Sequence, residues 1–315
     1  MNGLRRLTLI TTILTLGLIA VGASVRAAGA GLGCAHWPKC FETHWLPPSD
    51  ASDLPPADAA KFNLAKAWIE YANRLVGVVI GFFILATGIL AWKRARRRRD
   101  VFPLLAAAVL LTGFQGWQGG QVVFKELDPR WVTVHLVTAL AILLLLARAL
   151  LNLSEPRSLP IPEKLDPDRA RLKLAARAAL VLVVSQVVLG ALVRGTVDLV
   201  ANENPDLARG DRLAEVGFID HFHRQIGALA FFGVAAAFWF ARRTRHLEDG
   251  SDRTRTATAA LLLAAVQIAF GLGLAYVGLP PVLQVLHIAT ACALVVSLDW
   301  LQALAGRRRA SVDAD

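Results

Sequence analysis

Eight apolar runs of about twenty residues recur along this chain of 315, and no other feature limits its fold more. They cover about 7–28, 68–92, 101–124, 132–153, 172–195, 218–240, 256–277 and 282–304. A helix rises 1.5 Å per residue, so roughly 20 such residues cross a hydrocarbon core about 30 Å thick. A composition that is 55% hydrophobic agrees with membrane spans rather than with a soluble core. The expected fold is an all-α membrane protein with eight transmembrane helices. The first run follows Arg5 and Arg6 and ends in small residues, which is also the outline of a signal peptide. Its length favours a retained helix.

The formal charge of +10 would suit a nucleic-acid binder, but its placement excludes nucleic acid as a partner. Arg5 and Arg6, Lys93 to Arg99 (KRARRRR), the 154–171 link, Arg242 to Arg255 and Arg307 to Arg309 fall on alternate connections. Lysine and arginine collect on the cytoplasmic face. Both termini are therefore expected on the cytoplasmic side of a cell membrane, with the connections 29–67, 125–131, 196–217 and 278–281 outward. Cys34 and Cys40 share the first outward loop, where an oxidising compartment permits a disulfide. Their spacing fits a structural staple and thiol redox chemistry equally. Cys292, alone in the last run, reads as a packing residue.

The runs repeat in order. Gly190 and Arg194 reproduce the spacing of Gly22 and Arg26, and the interval of 20 from Gln115 to His135 returns from Gln267 to His287. The chain thus reads as two tandem, pseudo-symmetric four-helix bundles: residues 1–153, a cytoplasmic linker 154–171, and residues 172–315. An even number of spans per half gives both halves the same orientation, related by an axis along the membrane normal.

Ionisable residues within such runs need explaining, since each costs roughly 2.5–3.5 kcal/mol near the bilayer centre and less toward its surface. Ile219 to Gly227 (IDHFHRQIG) aligns with Ile69 to Gly77 (IEYANRLVG), setting Asp220 against Glu70, His223 against Asn73 and Arg224 against Arg74. His135 and His287 open the fourth run of each half (WVTVHLVTAL and VLQVLHIATA). Two imidazoles facing across a four-helix bundle can hold a haem iron from both sides, whereas zinc prefers a tetrahedral set of ligands. An interhelical hydrogen bond is the plain alternative for one histidine; three at matching places favour iron ligands. The expected ligands are His223 and His287 in the second half and His135 in the first. Opposite His135 stands Asn73, a poor iron ligand, with water or the loop residues His36 and His44 as other candidates for that position. His221, aligned with Tyr71, competes with His223.

Arg26, Arg74, Arg194 and Arg224 lie at outward helix ends, placed either to pair with haem propionates or to snorkel and pair with Glu70 and Asp220. Glu70 shares a helix face with Asn73 three residues on. It is a candidate base or a stabiliser of a developing cation, or else a salt-bridge partner of Arg74 or Arg26.

Taken together, GLGCAHWPKC (31–40), the EYANR turn, QGWQGGQVV (115–123), FHR (222–224) and VLHIATA (285–291) resemble the haem A synthase (CtaA/Cox15) family over nearly the whole chain. That resemblance implies oxidation of a methyl group of haem O to the formyl group of haem A for the terminal oxidase. It implies a resident haem b on His223 and His287, with Arg194 and Arg224 beside it. It makes the first half the substrate haem O pocket, with His135, Asn73, Arg26 and Arg74 around it, Glu70 as the essential carboxylate and a Cys34–Cys40 disulfide. Haem O and haem A, membrane lipid, an electron donor or acceptor, haem O synthase and the terminal oxidase are the implied partners.

One position departs from the family, whose turn reads Glu-x-x-His-Arg where this chain has Asn73. Either the substrate is held through His135 alone, leaving a free iron face, or synthase activity is altered or lost. Two other function classes stay open: a dihaem membrane carrier of electrons from quinol, and a haem-binding assembly factor without synthase activity.

Overall fold

The computed structural model describes residues 2–154, 166–247 and 249–306. Most of the expected linker, and Arg307 to Arg309, lie outside the described residues. The long helices are α1 (Asn2–Ala27), α3 (Leu64–Ala95), α4 (Phe102–Phe124), α5 (Pro129–Ser154), α6 (Pro167–Glu203), α7 (Phe218–Arg243), α8 (Gly250–Tyr276) and α9 (Pro281–Ala305), with a one-turn α2 (Pro56–Ala59) in the first long loop.

Local chemistry sets several of the boundaries. The Asn63 side chain accepts the Lys66 N–H at 3.0 Å and starts α3. Asp166 accepts the N–H groups of Asp168 and Arg169 to start α6, with Pro167 in its first turn, where proline's missing N–H costs nothing. The last residues expected in the linker are therefore helical. At its other end α6 runs on to Glu203, well past the expected stop near 195, and Arg194 and Asp198 pair one turn apart along it. The outward connection expected over 196–217 is correspondingly shorter and carries a 3-10 turn, Asp211–Val216.

Seven of these helices are long and apolar enough to cross a membrane. The one that falls short is α4, where eight spans were expected from the sequence. At 23 residues it is long enough, but Gln115, Gln118, Gln121 and four glycines dilute its apolar character. Large apolar side chains are outward-facing on several helices, among them Phe82, Leu110, Leu174 and Phe232. A lipid-facing surface is the setting in which these cost nothing.

The helices α1, α3, α4 and α5 pack in a ring, each on its neighbours, and so do α6, α7, α8 and α9. The two rings meet along α1–α9 and α5–α6. In each ring the two helices that carry candidate ligands are diagonal, α3 to α5 and α7 to α9. Small residues let the axes approach: Ala91, Ala95, Ala176, Ala237, Ala241 and Ala257 are all buried at contacts. Polar clips add register, with Thr11 bonded to Thr87 at 3.0 Å between α1 and α3. At the rings' seam Arg148 pairs with Asp299, and the Trp300 indole N–H reaches the Ala147 carbonyl at 3.0 Å.

One end of the assembly is marked by the first long loop. There Arg209 donates to the Ala27 carbonyl, Gly31 lies against Leu127 and Gly210 against Gly278, so the loops after α1, α4, α6 and α8 share that end.

Candidate functional site

Three imidazoles sit at comparable depth below the loop end, and each is flanked by a glycine on the neighbouring helix. A Cβ placed on Gly119 would lie 3.7 Å from the His135 ring, one on Gly271 3.4 Å from His287, and one on Gly190 3.2 Å from His223. At Gly190 a side chain would press on the ring, whereas the distances at Gly119 and Gly271 are ordinary van der Waals contact. All three rings are partly buried, and the Nδ1 of each is buried without a hydrogen-bond partner. Glutamines tie the ring-bearing backbones to their neighbours: Gln115 donates to the His135 carbonyl at 3.0 Å and Gln186 to the His223 carbonyl at 2.9 Å. Gln267 accepts from Thr290, which also bonds the His287 carbonyl at 3.1 Å.

In the second ring, His223 on α7 and His287 on α9 lie within electrostatic range of one another across the diagonal. The carbonyl of Gln267 is beside His287, the type of group that commonly orients a ligating imidazole. Two paired rings with unpartnered nitrogens and glycine-lined flanks suit an iron macrocycle. The rival His221 is exposed and bonded to the Gly217 carbonyl at 3.2 Å, on the outside of the ring.

In the first ring His135 has the same setting, but Asn73 occupies the place of His223. The Asn73 Oδ1 is buried without a partner. His36 and His44 stay in the loop, the first 3.5 Å from Asp58 and the second bonded to Thr43. Both side chains are engaged by partners within the loop.

Glu70 and Arg74 do something the sequence only half predicts. They form an ion pair, and both are largely buried. Glu70 also accepts the Cys34 N–H at 2.9 Å. Arg74 donates to the carbonyls of His36 at 2.7 Å, Lys39 at 3.0 Å and Cys34 at 3.4 Å. The pair therefore grips the Cys34–Cys40 loop, which a disulfide closes with the two Cα atoms 4.4 Å apart. Gly33 is required there, because a Cβ would come within 2.3 Å of the Lys66 carbonyl oxygen. Trp37 at the loop's tip lies over Gly120 of α4, making the loop a roof on the first ring. The matching pair in the second ring, Asp220 and Arg224 at 2.6 Å, grips no such loop, and Arg224 is half-exposed.

Asp198 is the functional-end residue that sequence reasoning missed. It pairs with Arg194 one turn away in α6 and with Arg26 of α1 at 2.8 Å, so the repeat-related arginines share one carboxylate. The i,i+4 spacing of Arg194 and Asp198 was the available signal. All four outward arginines thus have carboxylate partners. Cys292 is buried in the core, as a packing residue should be. Among the described residues, no group of three or more His, Cys, Asp or Glu side chains is arranged to hold a metal ion.

A family model described as cytochrome oxidase assembly protein (COX15-CtaA) matches residues 5–298. The chain is 27% identical over 258 residues to a protein named Heme A synthase from Shewanella oneidensis, covering 81% of this chain and 76% of the relative. It is 26% identical to the Heme A synthase of Alkalihalophilus pseudofirmus, with 86% and 88% covered, and 27% identical to that of Methylobacterium nodulans, with 88% and 85% covered.

Proposed function

The chain belongs to the COX15-CtaA family of cytochrome oxidase assembly proteins, and on that premise we propose that it is a haem A synthase, oxidising the methyl group of haem O to the formyl group of haem A. We read the two rings of helices as two four-helix bundles in a cell membrane, termini inside, the first taking substrate and the second a resident haem b. The observation that carries this reading is the matched placement of the imidazoles: two within electrostatic range of each other in one ring, and one in the other, where Asn73 takes the position that matches His223.

His223 and His287 would hold a haem, which would supply one-electron transfer. The rest is work for side chains. His135 would hold the substrate macrocycle from one side, with its isoprenoid tail between helices toward lipid. Arg26 and Arg194 meet only one carboxylate between them, leaving positive charge for propionates at the loop end. Arg74 spends its donors on the disulfide loop and is a brace. Glu70, on the face it shares with Asn73, supplies negative charge where positive charge develops at the methyl carbon. Going from methyl to aldehyde takes two hydroxylations, each drawing its oxygen from water and releasing two electrons and two protons, and then loss of water from the gem-diol; the electrons leave to an external acceptor, a redox protein or a quinone. The roof formed by residues 34–40 excludes bulk solvent from the pocket.

The test is expression with a haem O source, followed by chromatography of the extracted haems. Haem A and its hydroxylated precursor support the synthase. Haem b as the only pigment refutes it and favours an electron carrier, while haem O bound but never oxidised favours an assembly factor.

A further inference from the structure

A groove of about 580 Å³ opens between α7 and α8 at the end of the assembly remote from the disulfide loop. The turn that joins the two helices sets its walls. The buried Arg253 donates to the Thr244 carbonyl at 3.2 Å and to the Thr244 hydroxyl at 3.4 Å, tying the first turn of α8 to the end of α7. Gly250 closes the turn so tightly that a Cβ there would come within 2.2 Å of the Arg245 carbonyl oxygen. The groove is zoned along its length. Arg242, Arg245, Ser251 and Arg255 line its mouth, whereas Phe238, Ala259 and Leu262 line it one to two turns deeper. Both helices are long and apolar enough to cross a membrane, and Leu262 is exposed. The deeper zone therefore opens toward lipid tails and the mouth toward their head groups.

The charge at the mouth is left over. Arg243 pairs with Asp168 at 3.2 Å, but among the described residues Arg242 and Arg245 pair with no carboxylate, and Arg255 comes only within 4.0 Å of Asp252. Asp249 and Asp252, the described acids of the turn, lie within electrostatic range of the buried Arg253. The outward arginines, each with a carboxylate partner, are the opposite case. Arg242 lies over the Phe238 ring at 5.9 Å, which sets its guanidinium at the border of the two zones. We infer that this groove binds an anionic glycerophospholipid, its phosphate among the guanidinium groups and an acyl chain along Phe238, Ala259 and Leu262. A guanidinium presents paired donors that match phosphate oxygens, and basic pockets between membrane helices favour anionic head groups. A zwitterionic lipid brings its own cation to the same guanidinium groups and gains less. Free phosphate would leave the apolar zone unused. The inference rests on α7 and α8 spanning a bilayer and stands apart from the synthase reading.

The test is native mass spectrometry of the full-length protein in a neutral detergent, with phosphatidylglycerol, phosphatidylcholine and inorganic phosphate as probes. Phosphatidylglycerol should bind about tenfold more tightly than phosphatidylcholine. The double variant Arg242→Gln/Arg245→Gln should bring the two lipids level. Ala259→Trp fills the deeper zone without removing charge; it should weaken both lipids. Arg96→Gln/Arg97→Gln removes as much charge from exposed positions at the same end of the assembly, beyond α3, and should change nothing. Every substituted residue is exposed, and an unchanged thermal midpoint in lipid-free detergent reports that each variant is folded. Should Ala259→Trp fail that check, Leu262→Gln takes its place. Equal affinity of the wild type for the two lipids overturns the site. So do equal losses in the two arginine pairs, which would mean a diffuse basic face. Phosphate that displaces phosphatidylglycerol at equal concentration, or lipid binding indifferent to the deeper zone, overturns the lipid in favour of a free anion.

Discussion

The two halves of this protein share a skeleton and differ in what they keep fixed. The second ring brings two imidazoles, His223 and His287, within electrostatic range of each other, and Gly190 is packed against that of His223. The first ring has a buried, unpartnered Asn73 at the position of His223 and fixes its roof instead. There a disulfide, a buried Glu70–Arg74 pair and Trp37 over Gly120 hold one loop in place. A resident cofactor wants both faces held for good, whereas a molecule that must enter, react and leave wants rigid walls around an unfinished coordination shell. On the proposed reading, duplication followed by divergence at a handful of side chains would be enough to separate these tasks.

Four experiments break or sharpen that contrast, beginning with the largest effect. His287→Ala should remove the bis-histidine haem entirely while His135→Ala leaves it intact, as read by the absorbance spectrum of the purified protein; equal losses in both variants would erase the distinction between the halves. Glu70→Ala should cost about 3–5 kcal/mol, because it leaves the largely buried Arg74 guanidinium uncompensated. Thermal unfolding measures this, and haem A formation should vanish with it. Asp220→Ala in the second ring should cost much less, since Arg224 reaches solvent. Cys34→Ser, which opens a short loop, should destabilise by about 2 kcal/mol on chain-entropy grounds, and its effect should be confined to the first half, leaving the second-half haem spectrum unchanged. Asp198→Asn should be the mildest, under about 1 kcal/mol for partly exposed pairs. Its signature should be a weakened dependence of haem retention in one half on haem occupancy in the other.

Much of this arrangement is legible in the sequence because membrane helices announce themselves. The apolar runs place every long helix to within a few residues at most ends, and the intervals linking Gln115 to His135 and Gln267 to His287 put equivalent side chains in equivalent places. The disulfide follows from two cysteines in one loop. What escapes is whatever depends on three-dimensional approach between distant segments. Nothing in the spacing of Arg74 says that it will reach the carbonyls of residues 34, 36 and 39. Asp198 lies in a stretch that reads as loop, and its second partner is 172 residues away. The shortfall of α4 has the same origin, since its glutamines and glycines serve packing and hydrogen bonding against α5 and the roof loop and lower its apolar character.

The shared carboxylate of Asp198 has a mechanical meaning. It works as a strut pinned to both repeats, so that α1 cannot slide or tilt at this end without straining α6. Seating a molecule beside one anchor then changes the tension on the other, and thermodynamic reciprocity requires the influence to run equally in both directions. On the proposed reading, filling and emptying of the substrate half would thereby be felt by the half that keeps its haem.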